Sequence, residues 1–255
     1  YRIMSLNIQD YSFNKDETRY AQIAKLIQYY DADVIGFQEY GEEIDARFTS
    51  TLKSLGYTFI GNEVSGSHNR VPLAYKTSRF TCVKKGWSRL PGEVGDRPWH
   101  GVSWAVLKDK TTGQIFAVTT SHFYNQGTLE NKVLIRQENS RTVLNITNDI
   151  IKNYNCPVIN TGDFNMRSFD EAYHIMVSAG TLTDSRFIAA RDGIMTRIGH
   201  TLGSSIPAEG SPTRTIDYFF VTDDVNVLRN RASQNMTSGC ATDHFPLYVD
   251  ISFAA

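Results

Sequence analysis

The chain has 255 residues, a hydrophobic fraction of 41%, a charged fraction of 21% and a formal net charge of −1. That composition is ordinary for a globular protein, and it argues against a surface that holds long nucleic acid by general phosphate neutralisation, although a local basic cleft fits within a neutral total. No apolar run approaches the ~18 residues needed to span a bilayer, and no Pro/Ser/Gly-rich linker divides the chain, so a single domain over residues 1–255 is expected.

The elements follow in chain order. Residues 2–8 read as a strand carrying Asn7. Residues 16–31 read as a helix, because Tyr20, Ile23, Ala24, Ile27 and Tyr30 recur at three- and four-residue spacing, and Asp16 and Glu17 suit its start. Residues 33–39 form an apolar strand that ends in Glu39. A helix over 42–55 turns Ile44, Phe48, Leu52 and Leu55 inward and stops at Gly56. Strands are expected at 57–60, 71–75, 80–84, 102–108 and 115–122, with a turn at 109–113 and His122 closing the last of these. A long helix covers 129–154. The short buried strand 157–160 runs into Gly162-Asp163-Phe164-Asn165, and a helix over 169–179 is capped by Gly180. Residues 215–221 carry Asp217, and Asp243-His244 precede a final strand at 247–253.

Apolar strands tipped with polar residues are the recurring feature. A carboxylate or amide at a strand end sits on the rim of a sheet, where open sheets place their chemistry. Glu39 and Asn7 offer hard oxygen atoms of the kind Mg²⁺ prefers. Their plain alternatives are a solvated turn carboxylate and an amide that caps local backbone. Gly162-Asp163 also suits a turn closed by an Asx hydrogen bond. Of the six histidines, His68, His100, His174 and His200 are read as surface or structural residues, whereas His122 and His244 adjoin the other motifs.

In order, Asn7, Gln38-Glu39, Ser121-His122, Gly162-Asp163-Phe164-Asn165, Ile216-Asp217-Tyr218 and Asp243-His244-Phe245-Pro246 resemble the endonuclease/exonuclease/phosphatase (DNase I-like) superfamily of metal-dependent phosphoesterases. The resemblance runs from Asn7 to His244. It implies an α+β fold, a four-layer α/β/β/α sandwich of two packed mixed β-sheets flanked by helices, with the site at one edge. It implies Mg²⁺, or Mn²⁺, on Asn7 and Glu39, with Asp243 close to the metal directly or through water. Asp163 would orient or deprotonate the attacking water and Asn165 would steady the phosphate or nucleophile. Asp217 would pair with His244, and His122 would contact a non-bridging oxygen. Tyr75 is placed near the phosphate by looser resemblance, with a core tyrosine as its equal alternative. Arg167 could reach a substrate phosphate, as could Lys76, Arg79 or Arg214.

The implied function is Mg²⁺-dependent hydrolysis of a phosphoester by in-line attack of water, on a small or lipid head-group substrate. A nuclease acting on DNA or RNA is the alternative, and a catalytically inert binding scaffold is the second. Residues 196–203 and 214–217 resemble compact secreted bacterial and deadenylase-like members, but Leu202 replaces an aromatic and Thr215 intervenes before Ile216-Asp217. Ser121-His122-Phe123 disfavours the abasic-site endonucleases. Trp87 and Trp99, near residues 91–95, are read as anchors of a surface loop rather than as a membrane-docking hairpin. A monomer is expected, in a secreted or periplasmic bacterial setting rather than the cytoplasm, since the chain opens directly on a strand at Tyr1. Cys82, Cys156 and Cys240 are read as reduced or buried, with one bridge as the alternative. The sequons at Asn145 and Asn235 carry little weight.

Overall fold

The structure is a computed structural model that describes residues 1–61, 69–92, 100–190, 215–232 and 241–253. One sheet is built from β1 (Arg2–Asn7), β2 (Val34–Gln38), β3 (Tyr57–Ile60), β4 (Leu73–Lys76), β11 (Val225–Ala232) and β12 (Leu247–Phe253), in the order β11-β12-β1-β2-β4-β3. The other holds β5 (Phe80–Arg89), β6 (Gly101–Asp109), β7 (Ile115–His122), β8 (Val158–Asp163), β9 (Thr183–Asp184) and β10 (Asp217–Val221), in the order β5-β6-β7-β8-β10-β9. Both sheets are mixed, and among the described residues each has one parallel pair, β1–β2 and β7–β8. Parallel neighbours need a long crossover. Helix α1 (Thr18–Tyr30) supplies the first and α3 (Leu129–Tyr154) the second. Helices α2 (Glu42–Ser54), α4 (Glu171–Ser178) and α5 (Ser185–Ile188) complete the described set.

Side-chain alternation makes the layers. Along β1, Met4 and Leu6 face α1 and α2, in a core with Ile23, Ile27, Ile44 and Phe48. Ile3, one step out of phase, faces the other sheet and packs with Val34, Val118, Ile159, Phe219 and Val249. On the far side Phe220 and Tyr218 meet α3 and α4 through Val143, Tyr173 and Met176. The expected α/β/β/α sandwich is therefore the fold of the chain. Glycine sets how closely the two sheets approach: a Cβ on Gly36 would lie 2.7 Å from the Cβ of Thr120.

Several elements depart from the sequence expectation. β5 runs on to Arg89, so Trp87 stands half-buried within a strand rather than on a loop, and Trp99 lies outside the described residues. β8 extends to Asp163 instead of stopping at Asn160. β11 was not anticipated, because a bulge between Val227 and Arg229 breaks its alternation and leaves Leu228 exposed. The brief β9 and α5 carry too short a pattern to be read. Among the described residues Cys82 and Cys156 are free thiols; Cys240 and Asn235 lie outside them.

Candidate active site

Strand direction decides which residues meet. β1, β2, β7 and β8 run toward one edge of the sandwich and deliver the residues at their C-terminal ends: Asn7, Glu39, His122 and Asp163. β10 and β12 run the other way, so they deliver residues from their N-terminal ends: Asp217, and His244 just before β12. Register then places His122, Asp163 and Asp217 in one cross-strand row. Alternation points them all into the seam between the sheets. The seam changes character along its length, from Ile3, Val118, Ile159 and Phe219, through the hydrogen-bonded Gln38, Ser5 and Thr120, to the charged edge.

The Oδ2 atom of Asp163 is the hub. The Asn7 amide donates to it at 3.1 Å, His122 Nε2 lies at 3.5 Å and His244 Nε2 at 3.6 Å. Asn7 Nδ2 also donates to Glu39 Oε1 at 3.1 Å. Glu39, His122 and Asp163 form one group whose ligand atoms lie within 4.8 Å of one another, and Asp163, Asp217 and His244 form a second. On its other side, His244 Nδ1 is 2.9 Å from Asp217 Oδ2. Apart from Glu39 and Asp243, which are partly exposed, these side chains are almost wholly buried.

Electrostatics separates the two imidazoles. Burial alone would lower the pKa of His244, but the Asp217 and Asp163 carboxylates and the Asp217 hydrogen bond outweigh it and push it up to about 10. Burial lowers the pKa of His122, with Asp163 opposing and His100 reinforcing the drop. Among the described residues, neither nitrogen of His122 has a hydrogen-bond partner. Its ring packs on His100 at 4.9 Å between centroids, and His100 Nε2 meets Asn125 Oδ1 at 3.2 Å. His100 thus supports the site, a role for which its sequence position carries no signal. Burial, and to a lesser degree Glu39 and Asp163, raises the pKa of Asp243.

The loops that finish the site are strained. Gln9, Glu39 and Asn165 have positive φ of 55°, 57° and 49°, which is uncommon outside glycine and concentrates at functional sites. After the inward Gln38, continued extension would send Glu39 to the helix side; the left-handed turn redirects it to the seam edge. There Asp10 N–H holds Glu39 Oε2 at 2.9 Å, and the Asp10 carboxylate pairs with Arg70. Asn165 N–H donates to Asp163 Oδ1 at 3.0 Å, so the expected Asx-type bond and the site coincide. Asn165 Nδ2 donates to Phe123 O at 3.1 Å. Asp10, Arg70 and Thr242, whose hydroxyl donates to Asn7 O at 2.7 Å, were not singled out in the sequence. Each works through a loop contact with no local signature.

Tyr75 is a correction. It lies within β4, which runs antiparallel to β2 and pairs Tyr75 with Val34, at the end of the sheet away from Glu39. Tyr75 is a core residue with Phe80 and Leu107. Lys76 and Arg79 go with it, paired to Asp31, Asp33 and Asp109. Arg167 lies two residues beyond Asn165 and is half-buried, and its backbone N–H donates to Asp170 Oδ2 at 2.7 Å. Arg214, His68, His200 and residues 196–203 lie outside the described residues.

The donor set fits a hard divalent cation. Glu39, Asp163 and Asp243 crowd their charges, Asp243 Oδ1 is buried without a hydrogen-bond partner among the described residues, and the Asn7 amide adjoins both Glu39 and Asp163. A family model for the endonuclease/exonuclease/phosphatase family matches residues 4–244.

The chain belongs to the endonuclease/exonuclease/phosphatase family.

It is accordingly an enzyme of the phosphoesterase class. Among solved structures, a family protein from Bacteroides thetaiotaomicron is 25% identical, with 100% of this chain and 98% of that chain covered and a TM-score of 0.76. A mannosyl-6-phosphatase from the same organism is 26% identical, with 99% of each chain covered and a TM-score of 0.74. The catalytic domain of human Nocturnin with bound sulfate, 22% identical over 99% of this chain and 94% of that one, shares the fold with a TM-score of 0.78. No curated protein sequence matches the chain.

Proposed function

We propose that this family member hydrolyses a small phosphoester with Mg²⁺ as its ion. The observation that carries the reading is the hub at Asp163 Oδ2, where one carboxylate oxygen meets an amide and two imidazoles at distances from 3.1 to 3.6 Å. The formal net charge of −1 favours a small substrate over long nucleic acid, and the 26% identical mannosyl-6-phosphatase agrees in chemical class.

Asn7, Glu39 and Asp243 would hold the ion, with Mn²⁺ as a substitute. Bound there, a divalent ion supplies Lewis-acid neutralisation of phosphoryl charge. The remaining work belongs to the chain. Asp163 orients water in line with the scissile bond and accepts its proton. His244, protonated at neutral pH, donates toward the equatorial oxygens, and Asp217 fixes its ring. His122, held neutral by burial, presents Nε2 on the opposite side. Asn165 steadies the nucleophile or phosphate.

The test is hydrolysis of p-nitrophenyl phosphate, bis-p-nitrophenyl phosphate, a sugar phosphate, an RNA oligomer and plasmid DNA, with Mg²⁺ and with EDTA. Metal-dependent turnover of the small esters that Asp163→Ala abolishes is the expected result. Preference for the polymers would move the assignment to a nuclease. Undiminished turnover in Asp163→Ala would remove the mechanism.

A further inference from the structure

Arg136 lies in the N-terminal third of α3, which runs back from the site edge after β7. Its Nε donates to Tyr124 O at 2.8 Å. The preceding carbonyl, that of Phe123, accepts from Asn165 Nδ2 at 3.1 Å. Arg136 and Asn165 therefore grip adjacent carbonyls of the segment that follows His122, which sets the guanidinium beside the segment that Asn165 also holds. The segment does not depend on Arg136 alone, because Asn139 Oδ1 accepts from Tyr124 N–H at 3.0 Å and Asn139 Nδ2 donates to Pro91 O at 2.9 Å.

A guanidinium has five N–H donors, and the Tyr124 bond uses one. Among the described residues, Arg136 makes no ion pair. Burial lowers its pKa, while the Asp163 and Asp170 carboxylates act on its charge in the opposite sense. Its half-buried charge thus has a carbonyl but no carboxylate within ion-pair distance among the described residues. Planar, bidentate guanidinium donors match phosphate and carboxylate oxygens.

We propose that Arg136 is an anion-recognising residue of this site, whose terminal N–H groups receive an oxyanion of the substrate. That oxyanion is either a non-bridging pair on the reacting phosphoryl group or a second phosphate or carboxylate beside it. The proposal rests on the phosphoester reading above and identifies the substrate feature selected.

The experiment compares wild type with Arg136→Gln, Arg136→Lys and Asn139→Ala, all supplied with Mg²⁺. KM and kcat are measured on a sugar monophosphate and on the corresponding bisphosphate, and inorganic phosphate binding is measured by calorimetry. Arg136→Gln is expected to raise KM roughly tenfold or more, the scale of a charged hydrogen bond, with Arg136→Lys recovering part of the loss. A rise on both esters assigns the contact to the reacting phosphoryl group; a rise on the bisphosphate alone assigns it to the second group. KM within twofold of wild type on both esters overturns the proposal. So does an Asn139→Ala variant that reproduces Arg136→Gln, since Arg136 would then serve only to clamp the loop. If wild type binds phosphate through Arg136 yet hydrolyses neither ester, the anion site stands and the phosphoesterase reading falls.

Discussion

Asp217 and His244 join the two sheets across the seam, Oδ2 to Nδ1 at 2.9 Å. One opens β10, and the other precedes β12 in the opposite sheet. The contact closes the active edge and keeps one imidazole charged.

Asp217→Asn should therefore act on protonation as well as position. His244 is held up to about 10, against an ordinary value of 6.5. A raised pKa contributes stability that is complete below the ordinary value and is lost as pH rises through about 10. NMR titration of the metal-free protein should find the His244 pKa lowered in Asp217→Asn, with kcat reduced by roughly a hundredfold or more. An unchanged His244 titration would contradict the coupling.

Asp163→Asn keeps the size of the side chain and an acceptor, but removes the proposed base. We expect kcat to fall by about 10²–10⁴-fold with Mg²⁺ binding retained. Steady-state kinetics beside a Mg²⁺-dependent thermal shift separates the two effects.

Glu39→Gln should show the complementary pattern. It keeps the positive φ and the room for the side chain, but it loses the proposed hard anionic ligand. Mg²⁺ affinity should weaken by roughly tenfold or more, read by calorimetry without substrate.

Gly162→Ala should fail through the backbone. Gly162 has φ of 146°, and a Cβ there would lie 2.1 Å from the carbonyl oxygen of Ser121 in the neighbouring strand. Neither the dihedral nor the contact can relax without moving His122 and Asp163. A loss of about 3 kcal/mol or more is expected in urea unfolding.

Asp109 sits at the other end of the sandwich. Burial would raise its pKa, but the backbone N–H groups of Thr112 and Thr111 and the Arg79 side chain outweigh that and hold it at about 2. A lowered pKa contributes stability above the ordinary value near 3.8, which is lost as pH falls toward 2. Asp109→Asn should destabilise the protein at pH 7, leave kcat unchanged, and converge with wild type in acid melts near pH 2.

Much of this architecture was legible along the chain. Alternating apolar residues mark most strands, and the helix expected over 129–154 has those bounds, with Thr128 capping one end and Asn155, in a left-handed conformation, closing the other. Asn7, Glu39, His122, Asp163 and Asp217 were recognisable as polar tips of apolar runs, and His244 as the residue before the last strand. The alternation could not say which way a strand runs in its sheet. Tyr75 and Glu39 both come at the end of an apolar run, yet β4 is antiparallel to β2, and so the two residues end at opposite edges. Asp217 opens its strand and still reaches the site, because β10 runs against β8. Residue type and spacing, local properties of the chain, determined what chemistry was available. Tertiary pairing decided which residues share the edge, because register and direction arise from hydrogen bonding between segments far apart in sequence.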